Sequence, residues 1–228
     1  MRMRHKKWSM PELESSGYYV ENPEALRGKW SQSFAQSQPL HLELGCGKGV
    51  FTAATAAAHP EINYLAIDIS PDVLGVAKRN MDKAMEEAGR RPDNILLTIY
   101  DIEKIDKIVA PEDGVDRIYI NFCNPWPKAK HHKRRLTHTR QLKLYRDFLK
   151  PGASVYFKTD DDGLYLSSRS YFLSEGFTLE TDVKDLHRAG LSEDVCNFMT
   201  EHERMFSQQG IPIKFLKAVF RGQEEITR

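Results

Sequence analysis

LHLELGCGKG, residues 40–49, joins a short apolar run to three closely spaced glycines. The run 40–45 predicts a buried strand, and the alanine-rich stretch 50–58 that follows predicts a helix ended by His59 and Pro60. Glycines between a strand and a helix let the backbone turn tightly and approach a ligand. The stretch therefore indicates a strand, a ligand-binding turn and a helix at the carboxyl edge of an open sheet.

The same alternation continues along the chain. Mostly apolar strands that are each followed by a helix indicate a largely parallel sheet covered on both faces. Further strands are predicted at 64–69, 94–100, 117–122, 153–159, 177–183 and 213–220, and helices at about 71–88, 137–149 and 163–175. We expect an α/β fold with a doubly wound, mostly parallel sheet. Residues 1–39 are predicted to be a basic N-terminal extension, and residues 40–228 a single domain.

Charge and cysteine content narrow the class of protein. The 228 residues carry a formal net charge of only +1, yet positive charge concentrates in 1–8 and 128–150, as expected for one polyanion-binding face. Cys46, Cys123 and Cys196 are odd in number and far apart, which favours a reducing compartment and no structural metal. No apolar run approaches the roughly 20 residues of a membrane span. We expect a cytoplasmic protein without a membrane or metal partner.

The glycine spacing indicates which kind of cofactor would bind. A dinucleotide fingerprint would need a glycine at position 50, but the glycines are Gly45, Gly47 and Gly49, and residue 50 is Val50. Glu43 ends the first strand, where its charge would repel a pyrophosphate. S-adenosylmethionine, which carries an ammonium, a sulfonium and no phosphate, fits this acidic environment better.

Acidic residues also follow the next two strands. Asp68 ends the second strand, where a carboxylate can accept hydrogen bonds from two ribose hydroxyls. Asp101 follows the third strand, within reach of an adenine edge. The predicted cofactor site therefore comprises Glu43, Gly45, Gly47, Gly49, Asp68 and Asp101. Methyl transfer would convert the bound S-adenosylmethionine to S-adenosylhomocysteine.

A second motif, NFCNPWPKAKHHKRR (121–135), places a rigid corner beside dense positive charge. Proline fixes the backbone and removes N–H donors, so the Asn124-Pro125-Trp126-Pro127 corner should be stiff and should leave carbonyls able to accept hydrogen bonds. Trp126 offers a flat face for a base, worth roughly 1–3 kcal/mol in single-stranded recognition. Positive side chains follow at Lys128, Lys130, Lys133, Arg134, Arg135, Arg140, Lys143 and Arg146. Together these features predict an enzyme that acts on a nucleic-acid base.

The pattern of the first motif resembles the class I S-adenosylmethionine-dependent methyltransferases, with a Rossmann-like, seven-stranded sheet that ends in an antiparallel hairpin. Over nearly the whole chain the sequence resembles the bacterial tRNA (guanine-N7-)-methyltransferase family. The motifs that carry this resemblance are RMRHKKW (2–8), LELGCGKG (42–49), IYINFCNPWPKAKHHKRRLTH (118–138), FKTDD (157–161), DLH (185–187), TEHE (200–203) and GIPI (210–213).

The resemblance implies specific roles for individual residues. The implied substrate is tRNA, methylated in its variable loop, and the basic arm falls on Arg2 to Lys7. The substrate contacts predicted from the resemblance and from the corner are Trp126, Lys128, Arg134, Arg135, Asp160, Thr200, Glu201, His202 and Glu203. The family commonly has aspartate where this chain has Asn124, so a catalytic carboxylate is not expected at that position. A monomer or a homodimer is expected.

The expected chemistry is simple. Guanine N7 has a lone pair and no proton to lose, so methyl transfer needs orientation more than it needs a base. We predict that Asp160 and Glu203 hold the guanine N1–H and 2-amino edge and stabilise the positive charge that develops on the ring. Asn124 is predicted to assist the reaction and to contact the cofactor.

Two alternatives remain open from the sequence. Enzymes that methylate exocyclic amines use an Asn/Asp-Pro-Pro-aromatic corner, and Asn124 suits them, although the order Pro-Trp-Pro does not. The chain could also be an RNA-binding protein whose cofactor site has decayed. Intact Glu43, Asp68 and Asp101 argue against this second alternative.

Overall fold

Eight strands and six α-helices form within residues 5–191 and 198–222, the part of the chain that the computed structural model describes. The chain divides into two units, Met1–Asp113 and Gly114–Arg228. Cys196 and the first part of the expected basic arm, Arg2 to Arg4, lie outside the described residues.

In the first unit, four parallel strands have the order β1-β4-β3-β2. Strands β2 and β3 are buried along nearly their whole length, as expected for parallel strands covered on both faces. The strands are β1 (Tyr19–Val20), β2 (Leu40–Leu44), β3 (Asn63–Asp68) and β4 (Ile95–Ile99). The α-helices are α1 (Ser9–Glu14), α2 (Val50–Ala58) and α3 (Pro71–Glu87), with 3₁₀ turns at Pro23–Leu26, Trp30–Gln32, Ile102–Lys107 and Pro111–Asp113.

The segment before β2 contains elements that the sequence did not predict. Helix α1 contacts α3, and β1 pairs with β4 at the edge of this group of strands. Leu13 and Trp30 are fully buried, and the Trp30 indole donates a hydrogen bond to the Ile108 carbonyl at 2.6 Å. The described part of the expected extension is therefore folded within the first unit.

In the second unit, the strand order is β5-β6-β8-β7. Strands β5 and β6 are parallel, whereas β8 is antiparallel to both β6 and β7, which is the predicted terminal hairpin. The strands are β5 (Val115–Asn121), β6 (Leu149–Thr159), β7 (Phe177–Val183) and β8 (Lys214–Phe220). The helices are α4 (Thr139–Phe148), α5 (Asp162–Ser174) and α6 (Glu201–Gln208), with a 3₁₀ turn at Ala129–Arg134.

The predicted elements are confirmed with small shifts at their ends. The described strands number eight instead of seven, because β1 is only two residues long and lacks a periodic pattern. Strand β6 begins at Leu149, before Pro151 and Gly152, and its register with β5 shifts between Val115 and Arg117. Helix α6 was not predicted, because its eight polar-rich residues bury only Glu203.

Candidate functional site

The glycine turn between β2 and α2 is bent by backbone hydrogen bonds to β3. The N–H groups of Gly45 and Cys46 both donate to the Ile67 carbonyl, at 2.9 and 3.1 Å. Gly45, Gly47 and Gly49 all have positive φ, between 55° and 77°, which side chains other than glycine rarely adopt. The conformation of the turn therefore requires this spacing of glycines.

Two of these glycines differ in what surrounds them. A Cβ at Gly47 would have no heavy atom within 4 Å, so the backbone there faces open space that a ligand can enter. A Cβ at Gly49 would lie 2.7 Å from the Cβ of Ala77 and 2.9 Å from the Cε of Met81. Gly47 therefore leaves room beside the turn, and Gly49 lets the turn pack against α3.

Asp68, at the end of β3, is held by hydrogen bonds from two backbone N–H groups. Its two carboxylate oxygens accept from the backbone N–H groups of Gly47, at 3.0 Å, and Ser70, at 2.9 Å. Burial raises the pKa of Asp68, and these backbone N–H groups oppose the rise. Each oxygen retains acceptor capacity, so the carboxylate is held ready for further donors such as a pair of hydroxyls.

Glu43 and Asp101 lie at the carboxyl ends of the neighbouring strands. The pairing of Glu43 with Ala66, and of Asp68 with Ile99, brings the three strand ends to one edge. Glu43 is buried and accepts a hydrogen bond from the Thr52 hydroxyl of α2. Asp101 caps the turn Ile102–Lys107 by accepting from the Glu103 N–H at 3.1 Å.

The electrostatic character of this edge is negative. The pKa of the buried Cys46 thiol is raised, first by burial and then by the charges of Asp68 and Glu43. A cationic ligand would be stabilised in such a field, and a phosphate would be repelled. The geometry thus agrees with the cofactor chemistry expected from the sequence.

Ile69 was missed by the sequence reasoning. Its side chain directly follows Asp68 and is 65% exposed, an unusual exposure for an isoleucine at a strand end. The signal is the apolar residue directly after the acid, but the apolar run 64–69 includes it in the predicted strand. Ile69 gives this edge an apolar surface next to a hydrogen-bonding carboxylate.

The described part of the basic arm docks on the start of α3. The Lys6 N–H donates to Asp72 at 2.6 Å, and the His5 ring lies 3.2 Å from the same carboxylate. The Arg79 guanidinium stacks on the Trp8 ring at 3.5 Å from its centroid. The arm is therefore attached to the helix that follows Asp68.

In the second unit, Asn124 fixes the Asn-Pro-Trp-Pro corner by a local hydrogen bond. Its Oδ1 accepts from the Trp126 N–H at 3.0 Å. An N–H can only donate, so this bond assigns the amide oxygen to the corner and leaves Nδ2 as the donor of the side chain. Trp126 and Phe122 have positive φ, of 42° and 52°, at a cost of roughly 1–2 kcal/mol each.

Arg135 holds the corner from inside. It is buried, its Nε donates to the Pro125 carbonyl at 2.8 Å, and its Nη2 lies 3.4 Å from the Trp126 carbonyl. These are the carbonyls that were expected to be available as acceptors. The phosphate contact of Arg135 stays a prediction, while in this structure its guanidinium is buried and bound to the backbone.

Trp126 is partly covered by its own neighbours. The Arg134 guanidinium lies 4.3 Å from the ring centroid, and the His131 ring lies 5.7 Å away in a tilted arrangement. Lys128, Lys130 and Lys133 are exposed along the same segment. The corner thus combines an aromatic surface, a stacked guanidinium and three solvated cations.

Asp160 follows the end of β6. Its backbone carbonyl accepts from the Lys214 ammonium at 2.8 Å, and its partly exposed carboxylate has no hydrogen-bond partner within residues 5–191 and 198–222. The next residue, Asp161, caps α5 by accepting from the Leu164 N–H at 2.6 Å. Of these two acids, Asp160 is the one available to a ligand.

Residues Thr200 to Glu203 begin helix α6. Thr200 and Glu203 form a reciprocal capping box, with the Glu203 N–H donating to the Thr200 hydroxyl at 3.0 Å. Glu201 and His202 are exposed, whereas Glu203 is fully buried and paired with Lys158 at 2.9 Å. The contact of Glu203 with a guanine edge stays a prediction, and the carboxylate that would make it is buried in an ion pair with Lys158.

Solved structures share the fold. The 16S rRNA methyltransferase KamB is similar over 85% of this chain and 93% of its own, with a TM-score of 0.58 and 16% identity. The precorrin-6y C5,15-methyltransferase from Geobacter metallireducens covers 79% of each chain, with a TM-score of 0.51 and 14% identity. The predicted α/β, doubly wound architecture is confirmed, and the chain has the fold of these methyltransferases.

Sequence relatives identify the particular family. A family model described as "Putative methyltransferase" matches residues 37–216. The tRNA (guanine-N7-)-methyltransferase of Clostridium beijerinckii is 53% identical over 96% of this chain and 99% of its own. That of Ruminiclostridium cellulolyticum is 48% identical over 97% of this chain and 93% of its own. The chain belongs to the tRNA (guanine-N7-)-methyltransferase family.

The described residues lack two further features, a metal centre and a membrane-spanning helix. The described part of the chain contains no cluster of three or more His, Cys, Asp or Glu side chains that could hold a metal ion. None of the helices in residues 5–191 and 198–222 is long and apolar enough to cross a membrane.

Proposed function

We propose that this protein transfers a methyl group from S-adenosylmethionine to N7 of a guanine in tRNA. The observation that carries the proposal is the 53% identity, over 96% of the chain, to a relative with this name. By family resemblance, the target guanine lies in the variable loop. The product of the donor would be S-adenosylhomocysteine.

The residues of the first unit fit the cofactor. Asp68 would accept the two ribose hydroxyls, since its oxygens are already oriented by Gly47 and Ser70. Ile69 would pack against the adenine ring, and Asp101 would receive the adenine edge. Gly47 leaves the room that the ligand needs, and the negative field of Glu43 and Asp68 suits its cationic end. When bound, S-adenosylmethionine supplies an activated methyl group.

The residues of the second unit fit an RNA substrate. Lys128, Lys130 and Lys133 are exposed and would neutralise phosphates. Trp126 would stack on a base, with the Arg134 guanidinium moving to a phosphate or stacking beside it. Thr200, Glu201 and His202 would contact the substrate at the start of α6.

The reaction would depend mainly on orientation. Guanine N7 has no proton to remove, so the chain has to hold the base rather than provide a general base. Asp160 would accept from the N1–H and 2-amino edge, and its charge would stabilise the cationic ring that forms. Asn124 would add a polar amide at the corner without the full charge of an aspartate.

The corner argues against methylation of an exocyclic amine. Such a reaction needs acceptors for the amine protons, namely the Asn side-chain oxygen and the following carbonyl. Here Asn124 Oδ1 accepts from Trp126, and the Pro125 carbonyl accepts from Arg135. Each acceptor that this chemistry requires therefore already shares one of its two lone pairs with the protein, which leaves less capacity for an amine.

The test is incubation with methyl-labelled S-adenosylmethionine and unmodified tRNA transcript, followed by digestion to nucleosides. We expect the label in 7-methylguanosine, and a transcript with adenosine at the variable-loop target as control should remain unlabelled. Label in a different nucleoside would overturn the proposal. Absence of S-adenosylmethionine binding in calorimetry would favour a protein that only binds RNA.

A further inference from the structure

Lys158, near the end of β6, is a buried cation with one anionic partner. Its Nζ donates to Glu203 Oε2 at 2.9 Å, and their side chains are 3% and 0% exposed. The other carboxylate oxygen of Glu203 lies 3.4 Å from the His187 ring. A buried pair of this kind fixes the relative position of its two elements, because separating the charges within the protein is costly.

Glu203, the anion of this pair, lies in the first turn of α6. The carboxylate that meets Lys158 also receives the Thr200 N–H at 3.4 Å, within the capping box. The Lys158 ammonium therefore acts on the same carboxylate that begins the helix, and the segment Thr200 to His202 is tied to β6 through it.

The backbone of Lys158 reaches the Asn-Pro-Trp-Pro corner. Its carbonyl accepts from the Phe122 N–H at 2.9 Å, at the positive-φ residue that leads into Asn124. The Phe122 ring in turn stacks on His202 of α6, with 6.0 Å between centroids and 22° between planes. Lys158, Glu203, His202 and Phe122 thus form a closed circuit of contacts.

Three segments proposed to bind substrate meet at this circuit: the corner after Phe122, Asp160 two residues beyond Lys158, and the start of α6. We infer that Lys158 is a positioning residue, which acts through Glu203 and Phe122 to set these segments in the arrangement that receives the guanine. The inference rests on the proposed function for its activity readout. Lys158 itself is too buried to touch the substrate.

The experiment compares Lys158→Met with the double variant Lys158→Met/Glu203→Met. The double variant removes both charges of the pair, so neither charge remains buried without its partner. Lys217→Met is the control, since it removes a lysine from an ion pair with Glu180 at 2.7 Å. Each chain is labelled with 5-fluorotryptophan, and Trp126 is assigned among the three tryptophans by Trp126→Phe. The measurements are kcat and KM for tRNA, the Kd for S-adenosylmethionine and the ¹⁹F spectrum.

We expect both Lys158 variants to lower kcat/KM for tRNA at least tenfold while the Kd for S-adenosylmethionine stays within twofold. The Trp126 resonance should shift or broaden, and those of Trp8 and Trp30 should stay in place. Lys217→Met should match the parent chain. If Lys158→Met does not fold, the double variant carries the test.

A double variant with the parent kcat/KM and an unshifted Trp126 resonance would overturn the inference, because Lys158 would then only compensate a buried charge. Failure of the proposed function would be seen separately. In that case the parent chain would not methylate tRNA, while the ¹⁹F comparison would still report whether Lys158 sets the corner.

Discussion

Asn124 stands where the family resemblance predicts an aspartate, and its local hydrogen bond can be compared with the one that an aspartate would make. The amide oxygen caps the Trp126 N–H at 3.0 Å, which an aspartate oxygen could do equally well. What changes is the second polar atom, which is an N–H₂ donor here and would be a charged acceptor in aspartate. The hydrogen bond to the Trp126 N–H would therefore be preserved in aspartate, and the difference falls on the charge of the second polar atom.

The substitution Asn124→Asp should raise kcat. The added carboxylate would face a ring that becomes cationic, and the gain from a charged over a neutral partner is about 1 kcal/mol, or about fivefold. Single-turnover rates at saturating tRNA and S-adenosylmethionine measure the effect. Asn124→Ala is the control, which should lose the cap and slow the reaction. A slower Asn124→Asp enzyme would show instead that the Nδ2 donor is required.

At the scale of elements, the glycine turn and helix α3 form one packed unit. Gly49 approaches Ala77 and Met81 so closely that a side chain cannot be added, while Gly47 faces open space. The basic arm docks on the same helix, through Asp72 and Arg79. Helix α3 therefore supports both the glycine turn and the described part of the basic arm.

Alanine substitutions at these two glycines should separate stability from cofactor binding. Gly49→Ala adds a collision to the cost of positive φ, so we expect a loss of roughly 2–5 kcal/mol in the free energy of unfolding. Gly47→Ala adds only the conformational cost of roughly 1–2 kcal/mol. It should nevertheless weaken S-adenosylmethionine binding more than Gly49→Ala does, because its methyl group would enter the open space beside the turn.

Urea unfolding and calorimetry measure the two quantities. Gly89→Ala is a matched control, because Gly89 also has positive φ and open surroundings but lies outside the proposed site. Equal stability losses at Gly47 and Gly49 would contradict the packing role of Gly49.

At the scale of the whole molecule, the chain is nearly neutral, but exposed positive charge is concentrated in one short segment, residues 128–133. The net charge is +1, but Lys128, Lys130 and Lys133 are all exposed within six residues, whereas Arg135 is buried. Only solvated cations displace counterions from phosphates. The salt dependence of tRNA binding should therefore distinguish the lysines from Arg135.

Replacing the three lysines with glutamine should make the slope of log K against log salt shallower by about 2–3, since each phosphate contact contributes about 0.7–0.9. Arg135→Met should lower stability and leave the slope unchanged within about 0.5. Lys83→Gln, on the exposed pair with Glu87 of α3, is the control. The slopes are measured by filter binding at salt concentrations from about 50 to about 200 mM. An unchanged slope for the triple variant would place the phosphate contacts elsewhere.

Much of the fold was accessible from the sequence because local patterns encode it. Buried parallel strands appear as apolar runs such as 64–69, and Pro71 and the glycines mark where elements begin and turn. Strand β1 and helix α6 were not predicted, because each is short and gains its stability from contacts distant in sequence.

The sequence by itself determined the fold class and the family, and it predicted the residue types of both proposed sites, because motifs and periodicity lie along the chain. Only the tertiary structure decided which charged residues face solvent. By sequence, Arg135 and Glu203 were predicted to bind substrate just as Lys128 and Asp160 were. In the structure, Arg135 is buried against the Pro125 carbonyl and Glu203 is buried against Lys158. Burial depends on neighbours that the chain brings together only when it folds, and the function of a charge depends on that burial.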